Sequence, residues 1–398
     1  MADTSIPDPF PALMPVYTQA DLYFERGEGS YLFDDKGERY LDFVGGIAVA
    51  GLGHAHPQIV AALKAQAEKL WSASNLYKYH PTQRLAERLV HLSFADTVFF
   101  QNSGVEAWEC GVKLVRKYFS AIGKPERHRI ITFKGCFHGR TMTAMAAAKT
   151  EKMVGGFGPL IDGFDQVEWG DLDAVRGAIT HETAGLCIEP VQGEGGLRVA
   201  SAEYLRGLRH ICDEHGLLLY FDEVQCGMGR TGRLFGYELT GVKPDVMCIA
   251  KALGNGYPIG ACLAVAKAAQ GMVAGTHGST YGGNPMATTI GNAVLDVMTA
   301  PGFLEDVAQK GALFETKLLE LVARHPKIFS GRRGTGMMQG LVCKPPNGDV
   351  VKALQAEKML AVAAGDNVLR MLPPLVTTDE QIEEAAAILD RVAKSIEG

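Results

Sequence analysis

The chain has no C-x-x-C pair among its eight cysteines, no long run of uncharged apolar residues, and no excess of basic residues. Each absence removes a class of function. Cysteines without ligand spacing give no support for a structural zinc site or a disulfide framework. Cys187, Cys248 and Cys262 sit inside apolar runs and read as small buried hydrophobes, which fits reduced thiols and a cytoplasmic setting. A membrane-spanning helix needs about 18 or more apolar residues, which this sequence does not supply. Thirty-nine Lys+Arg against 45 Asp+Glu leave a formal charge of −6, so the clustered cations of a nucleic-acid binder are missing. Met1–Pro9 carries acid and proline where a secretory leader would carry basic and then apolar residues, so no export is expected. Neither G-x-x-x-x-G-K-[ST] nor G-x-S-x-G occurs, which leaves a Walker-type nucleotide site and a hydrolase elbow without support.

What is present is an ordinary globular composition, 47% hydrophobic and 21% charged over 398 residues. That is too apolar for disorder and long enough for two or three domains. Continuous apolar runs recur at Thr97–Phe100, Arg129–Phe133, Gly185–Ile188, Leu217–Phe221, Val246–Ala250 and Ile259–Val265. Runs without alternation suit strands covered on both faces, hence a parallel, helix-flanked sheet. Between them lie amphipathic helices such as Ser103–Phe119, where Ser103 and Glu106 match a capping box, and Ala202–Glu214, with Tyr204, Leu205, Leu208, Ile211 and Cys212 on one face. Residues 16–45 read as a short meander with turns at Gly27-Glu28-Gly29 and Asp35-Lys36-Gly37. Beyond about residue 300 helices dominate, ending in one capped by Thr378 and Gln381. The expected fold is α/β: a large domain over 55–295 with a mostly parallel sheet, and a smaller α+β domain over 296–398 joined by the segment 1–54. No internal repeat or low-complexity linker interrupts it.

Two motifs carry less than they promise. Gly227-Met228-Gly229-Arg230-Thr231-Gly232 matches G-x-G-x-x-G, but no clear helix opens on it and no acidic strand end follows at dinucleotide spacing. His54-Ala55-His56-Pro57 offers two histidines without a third ligand at a suitable spacing, so no metal site is expected.

Ligands of open parallel sheets sit at the carboxyl ends of strands, and four such exits are chemically loaded. Asn102-Ser103-Gly104 feeds a capped helix whose free N–H groups and dipole suit a phosphate. Phe137-His138-Gly139-Arg140 puts an aromatic ring and a cation at the same rim. Asp222, ending Leu217–Phe221, is a carboxylate whose burial demands a cationic or strong hydrogen-bonding partner. Lys251, ending Val246–Ala250, is a lysine that burial would turn into a nucleophile for carbonyls. Alone, Asp222 or Lys251 reads more readily as a structural ion-pair member than as a catalytic group. Together the four exits fit pyridoxal 5′-phosphate, which needs a lysine for its aldehyde, a carboxylate for its ring nitrogen, a phosphate cradle and a stacking group.

With Glu189-Pro190-Val191-Gln192-Gly193-Glu194-Gly195-Gly196 and Phe221-Asp222-Glu223-Val224-Gln225 in the same order, the chain resembles the class III (ornithine-type) aminotransferases of PLP fold type I over about residues 16–396. Gly45-Gly46-Ile47-Ala48-Val49, Ser74-Asn75-Leu76-Tyr77 and His277-Gly278-Ser279-Thr280-Tyr281-Gly282-Gly283-Asn284-Pro285 resemble the branch acting on acetylornithine. The resemblance implies transfer of the δ-amino group of N2-acetylornithine to 2-oxoglutarate, a step of arginine biosynthesis, with N-succinyl-diaminopimelate as a second donor. Ornithine or 4-aminobutyrate as donor would keep every catalytic residue. It further implies that Lys251 and Asp222 are catalytic, that Phe137 and Val224 sandwich the cofactor ring beside His138, and that Gln225 meets the ring hydroxyl. Ser103, Gly104 and Val105 would hold the phosphate, aided by Thr280 of the partner subunit in a homodimer. Arg140 and Arg370 would take the two substrate carboxylates, as bidentate guanidinium pairing suits. Glu194 would neutralise Arg370 when the amine donor is bound, and Tyr17 would touch substrate. Val105, Trp108 and Asn255 depart from the residues usual in the family without removing a catalytic group, and the bulk of Trp108 leaves open how the start of the phosphate-binding helix packs, in this chain or against a partner subunit.

Overall fold

The computed structural model describes residues 11–398; the Met1–Pro9 stretch and the start of the 1–54 segment lie outside the described residues. Strands β1 (Phe24–Glu28), β2 (Tyr31–Asp34) and β3 (Arg39–Asp42) form the antiparallel meander, turning at Gly29 (φ +55°) and Gly37 (φ +80°), left-handed positions that glycine adopts without penalty. The middle of the chain supplies β4 (Thr97–Gln101), β5 (Arg129–Phe133), β6 (Phe164–Val167) and β7 (Thr183–Ile188). A two-stranded hairpin follows, β8 (Val191–Gln192) with β9 (Arg198–Val199), and then β10 (Leu218–Asp222), β11 (Val246–Ile249) and β12 (Gly260–Ala264).

Seven of these strands make one sheet in the order β4-β12-β11-β10-β7-β5-β6. The pairs β5/β6, β5/β7, β7/β10 and β10/β11 are parallel, whereas β12 is antiparallel to both β11 and β4. The sheet is thus mostly parallel, as expected, and β12 is the exception: the ten residues between β11 and β12 are too few for a crossover helix, which takes a dozen or more. The edge strand β6, sequence FDQV, has no apolar run to betray it. Successive residues feed opposite faces. Leu219, Phe221, Met247 and Ile249 enter one core, and Leu218, Tyr220, Val246 and Cys248 enter another. Helices cover both faces, which is why these strands are apolar throughout.

The C-terminal part forms a second sheet from β13 (Phe329–Thr335), β14 (Met338–Cys343), β16 (Val362–Ala364) and β17 (Val368–Met371), in the order β13-β14-β17-β16. The helices Phe303–Arg324 and Asp379–Glu397 pack on each other beside it. Thr378 and Gln381 form the reciprocal capping box. The short strand β15 (Met359–Leu360) pairs in parallel with β3, and Leu41 and Phe43 enter the same core as Phe314, Leu341 and Leu389. The two ends of the chain therefore share one hydrophobic core.

The two doubtful motifs are structural joints. His54 Nε2 lies 2.7 Å from Asp42 Oδ2, tying the meander to the loop that follows. Arg230, fully buried, donates from Nη1 to the carbonyls of Met337 (3.0 Å) and Pro373. The glycine-rich loop thereby bolts the central sheet to the C-terminal part. Burial pushes this guanidinium down to about 10, a cost that carbonyl acceptors offset only in part.

Candidate active site

The carboxyl ends of β4, β5, β7, β10 and β11 converge on a cavity of about 280 Å³, lined among others by Ser103, Gly104, Phe137, Asp222, Val224 and Lys251. Lys251 follows β11 in a left-handed conformation (φ +47°), which costs a lysine on the order of 1 kcal/mol or more. Its amine has no hydrogen bond or ion pair among the described residues. Burial, reinforced by the charge of Arg370, pushes it down to about 8, so a substantial fraction is neutral near physiological pH.

Asp222 is 4% exposed, and stranding a bare carboxylate there would cost several kcal/mol. It is not bare: Oδ2 lies 2.7 Å from Nδ1 of buried His138, and Oδ1 accepts the Val224 N–H at 3.0 Å. Burial works against a charged imidazole at His138, but the neighbouring Cys136 and Cys187 and the hydrogen bond to Asp222 override it and raise its pKa well above the ordinary histidine value. His138 lines the cavity and is also the group that Asp222 needed. Behind it the indole of Trp108 stacks on the imidazole, with centroids 5.0 Å apart and planes 10° apart, and donates from Nε1 to Cys187 Sγ at 3.3 Å. The packing of Trp108 is thereby settled: it is fully buried inside this chain, in the core its helix shares with Tyr220, Val246 and Cys248 of the sheet.

The anion cradle is local. Ser103 caps the helix Gly104–Ala121 by accepting the Glu106 N–H. The Glu106 carboxylate reaches back to the Asn102 N–H (3.0 Å) and the Ser103 hydroxyl (2.9 Å), one residue short of the expected reciprocal box, which would have used the Ser103 N–H. The amides of Gly104 and Val105 have no acceptor among the described residues, and both residues line the cavity, which leaves them available to an anion at the helix N-terminus. A Cβ on Gly104 would stand 2.6 Å from Val224 Cγ1, so only glycine leaves the floor open.

Arg370, on β17, is 1% exposed. Its Nη2 pairs with Glu194 Oε1 at 2.7 Å and its Nη1 donates to Gln225 Oε1 at 3.0 Å. Gln225 thus spends its carbonyl on the arginine and keeps only its amide N–H groups for anything else. Arg140 is exposed and lines a neighbouring cavity of about 500 Å³ with Glu194, Arg198 and Asp366. Phe137 lines both cavities.

Tyr17 is not brought here, and Thr280, expected to act in the partner subunit's site, lies elsewhere on this chain. Tyr17 is 80% exposed and lines neither cavity, and Thr280 is exposed in a third depression with Ser72, Ser74 and Leu76. One cavity residue had a motif but no role: Glu189, buried at the exit of β7, accepts the Phe137 N–H at 3.1 Å and is pushed up to about 8 by burial. It is a polar residue directly after an apolar run, so the rule that found Asp222 also marks it.

Known proteins match this chain over nearly its whole length. The family model for class-III aminotransferases matches residues 14–393. A protein of Agrobacterium fabrum named acetylornithine aminotransferase is 53% identical, covering 100% of this chain and 98% of that protein. The crystal structure of N-acetylornithine aminotransferase from Stenotrophomonas maltophilia is 35% identical with a TM-score of 0.84, covering 96% of this chain and 97% of that one. An ornithine aminotransferase of Toxoplasma gondii, whose structure has PLP at partial occupancy in its active site, is 30% identical with a TM-score of 0.91, covering 96% and 92%.

Proposed function

The chain belongs to the class III aminotransferases, and from that premise we propose that it moves the δ-amino group of N2-acetylornithine to 2-oxoglutarate, giving N-acetylglutamate 5-semialdehyde and glutamate. The observation that carries this reading is an unpaired, nucleophilic lysine and a clamped carboxylate at one cavity, with a carboxylate-masked arginine beside them. The relative from Agrobacterium fabrum supports the donor.

Pyridoxal 5′-phosphate is the cofactor, and the residues fit it: free helix-start amides for its phosphate, a floor that tolerates only glycine, an apolar pair in Phe137 and Val224, and a buried carboxylate. When bound it supplies an aldehyde for the amine and an electron sink for bond breaking at the substrate carbon. Asp222 would face the ring nitrogen, and His138 holds that carboxylate in place. Lys251, neutral in good part near pH 8, takes a proton from the reacting carbon and returns it on the neighbouring side. Arg140 holds the carboxylate remote from the reacting amine. Arg370 is masked by Glu194 when the donor, with no second carboxylate for it, is bound, and accepts the α-carboxylate of glutamate once Glu194 turns away. Gln225 steadies Arg370 in both states.

Thr280 takes its role in a homodimer, at the partner's cofactor, and Tyr17 touches substrate. Leu76, Tyr77 and Tyr281 are exposed apolar side chains near Thr280, and the Asn75 amide bonds to the Ser279 and Gly282 carbonyls, presenting this ridge to a second copy. The described residues contain no helix long and apolar enough to cross a membrane, and all eight cysteines are free, which supports a cytoplasmic enzyme. The segment 11–54 joins the C-terminal domain through the β3/β15 pair, and 55–295 forms the cofactor domain.

The test is the absorbance of the cofactor-loaded protein on adding N2-acetylornithine without a keto acid. Rapid discharge of the visible band, restored by 2-oxoglutarate, is the expected result. Faster discharge by ornithine or 4-aminobutyrate would move the donor, and a protein that takes up no cofactor would overturn the reading.

A further inference from the structure

Glu194 and Arg370 sit on different parts of the fold, yet both are referenced to one turn. The residues 365–367 lead directly into β17, which carries Arg370. The Gly365 N–H donates to the Glu194 carbonyl at 2.8 Å. Asp366 Oδ2 accepts from Arg198 Nε (3.0 Å) and Nη2 (2.7 Å), at the far end of the Glu194 loop, and from Arg333 Nη1 (2.7 Å). Arg333 Nη1 also donates to the Gly196 carbonyl at 3.3 Å. The approach is so close that a Cβ on Gly196 would lie 2.7 Å from the Gly365 carbonyl oxygen.

We propose that Asp366 is a positioning residue for the exchange of partners at Arg370: by clamping the Glu194–Arg198 loop to the turn that starts β17, it fixes the Glu194 backbone relative to the guanidinium. This rests on the reading of Glu194 and Arg370 given above. Masking and unmasking then need only rotation of the Glu194 side chain. Without the clamp the loop drifts and Arg370 is masked less of the time. A single exposed ion pair would be too weak to matter, but three donors converge here on one oxygen, backed by a backbone hydrogen bond.

Asp366→Asn is the clean variant, because Asp366 is left-handed (φ +54°) and asparagine tolerates that conformation as aspartate does. The two half-reactions are measured separately on holoenzyme in single turnovers, with N2-acetylornithine and with glutamate. The expected result is a rise of roughly fivefold in the ratio of kcat/KM for glutamate to that for acetylornithine, the size implied by loss of a small charged network. A smaller rise is expected in Arg333→Gln, with melting temperature little changed and no further shift when D366N is added to E194Q. A parallel fall of both half-reactions in D366N, or an unchanged ratio where E194Q alone shifts it, overturns the clamp and leaves the Glu194 reading standing. An unchanged ratio in E194Q overturns that reading and the clamp with it.

Discussion

Around Lys251 the polar groups are buried and tied to strand ends: Asp222 is held by His138 and the Val224 amide, and His138 is backed by Trp108. Around Arg140 they are exposed or half-exposed, come from loops and the C-terminal part, and are joined by ion pairs such as Arg198–Asp366. Arg370 stands between the two, buried like the first group and partnered like the second. Bond-making chemistry common to all substrates needs fixed groups in a low dielectric. Accepting two substrates in turn needs charges that can exchange partners, which solvent access makes inexpensive.

That division can be broken by experiment. Lys251→Ala should abolish both half-reactions, by about 10⁴-fold or more, with the melting temperature nearly unchanged; single-turnover absorbance checks it. Asp222→Asn keeps the shape but removes the charge, and should slow both half-reactions by roughly 10³-fold. If only one slows, the cofactor side is not common to both. Arg370→Ala should lower kcat/KM for glutamate by about 10²-fold, the loss of a buried bidentate partner, and that for acetylornithine far less. Equal losses would erase the distinction between the two regions.

Cofactor uptake by the apo protein should depend on pH through Lys251, whose folded pKa lies near 8. Below 8 the amine is protonated and the rate should rise about tenfold per pH unit; above 8 it should level off, as stopped-flow absorbance would show. Trp108→Phe removes the indole bond to Cys187 and part of the surface stacked on His138. A loss of about 1–2 kcal/mol in stability is expected, with somewhat faster cofactor release, measured by denaturant titration and by dialysis.

The strands, the helices Ser103–Phe119 and Ala202–Glu214, and the strand-exit residues were legible because period, capping and burial are local facts. The apolar runs at 217–221 and 246–250 are continuous whether or not the sheet around them is seen. The antiparallel β12 was not legible, since strand direction depends on connection length and on neighbours. Nor was β6, whose edge position asks for no apolar run. Trp108 reads as an anomaly in a list of letters and as a support only once His138 lies across it.

Which side chains stand at the ends of buried strands, and hence the chemistry open to the molecule, follows from residue order alone. The pairings came from folding: Asp222 with His138, 84 residues apart, and Arg370 with Gln225, 145 apart. Glu194 meets Arg370 through a turn near the end of the chain. The physical reason is that a buried charge takes its properties from whatever folding places within a few ångströms of it, and spacing along the chain does not fix that distance.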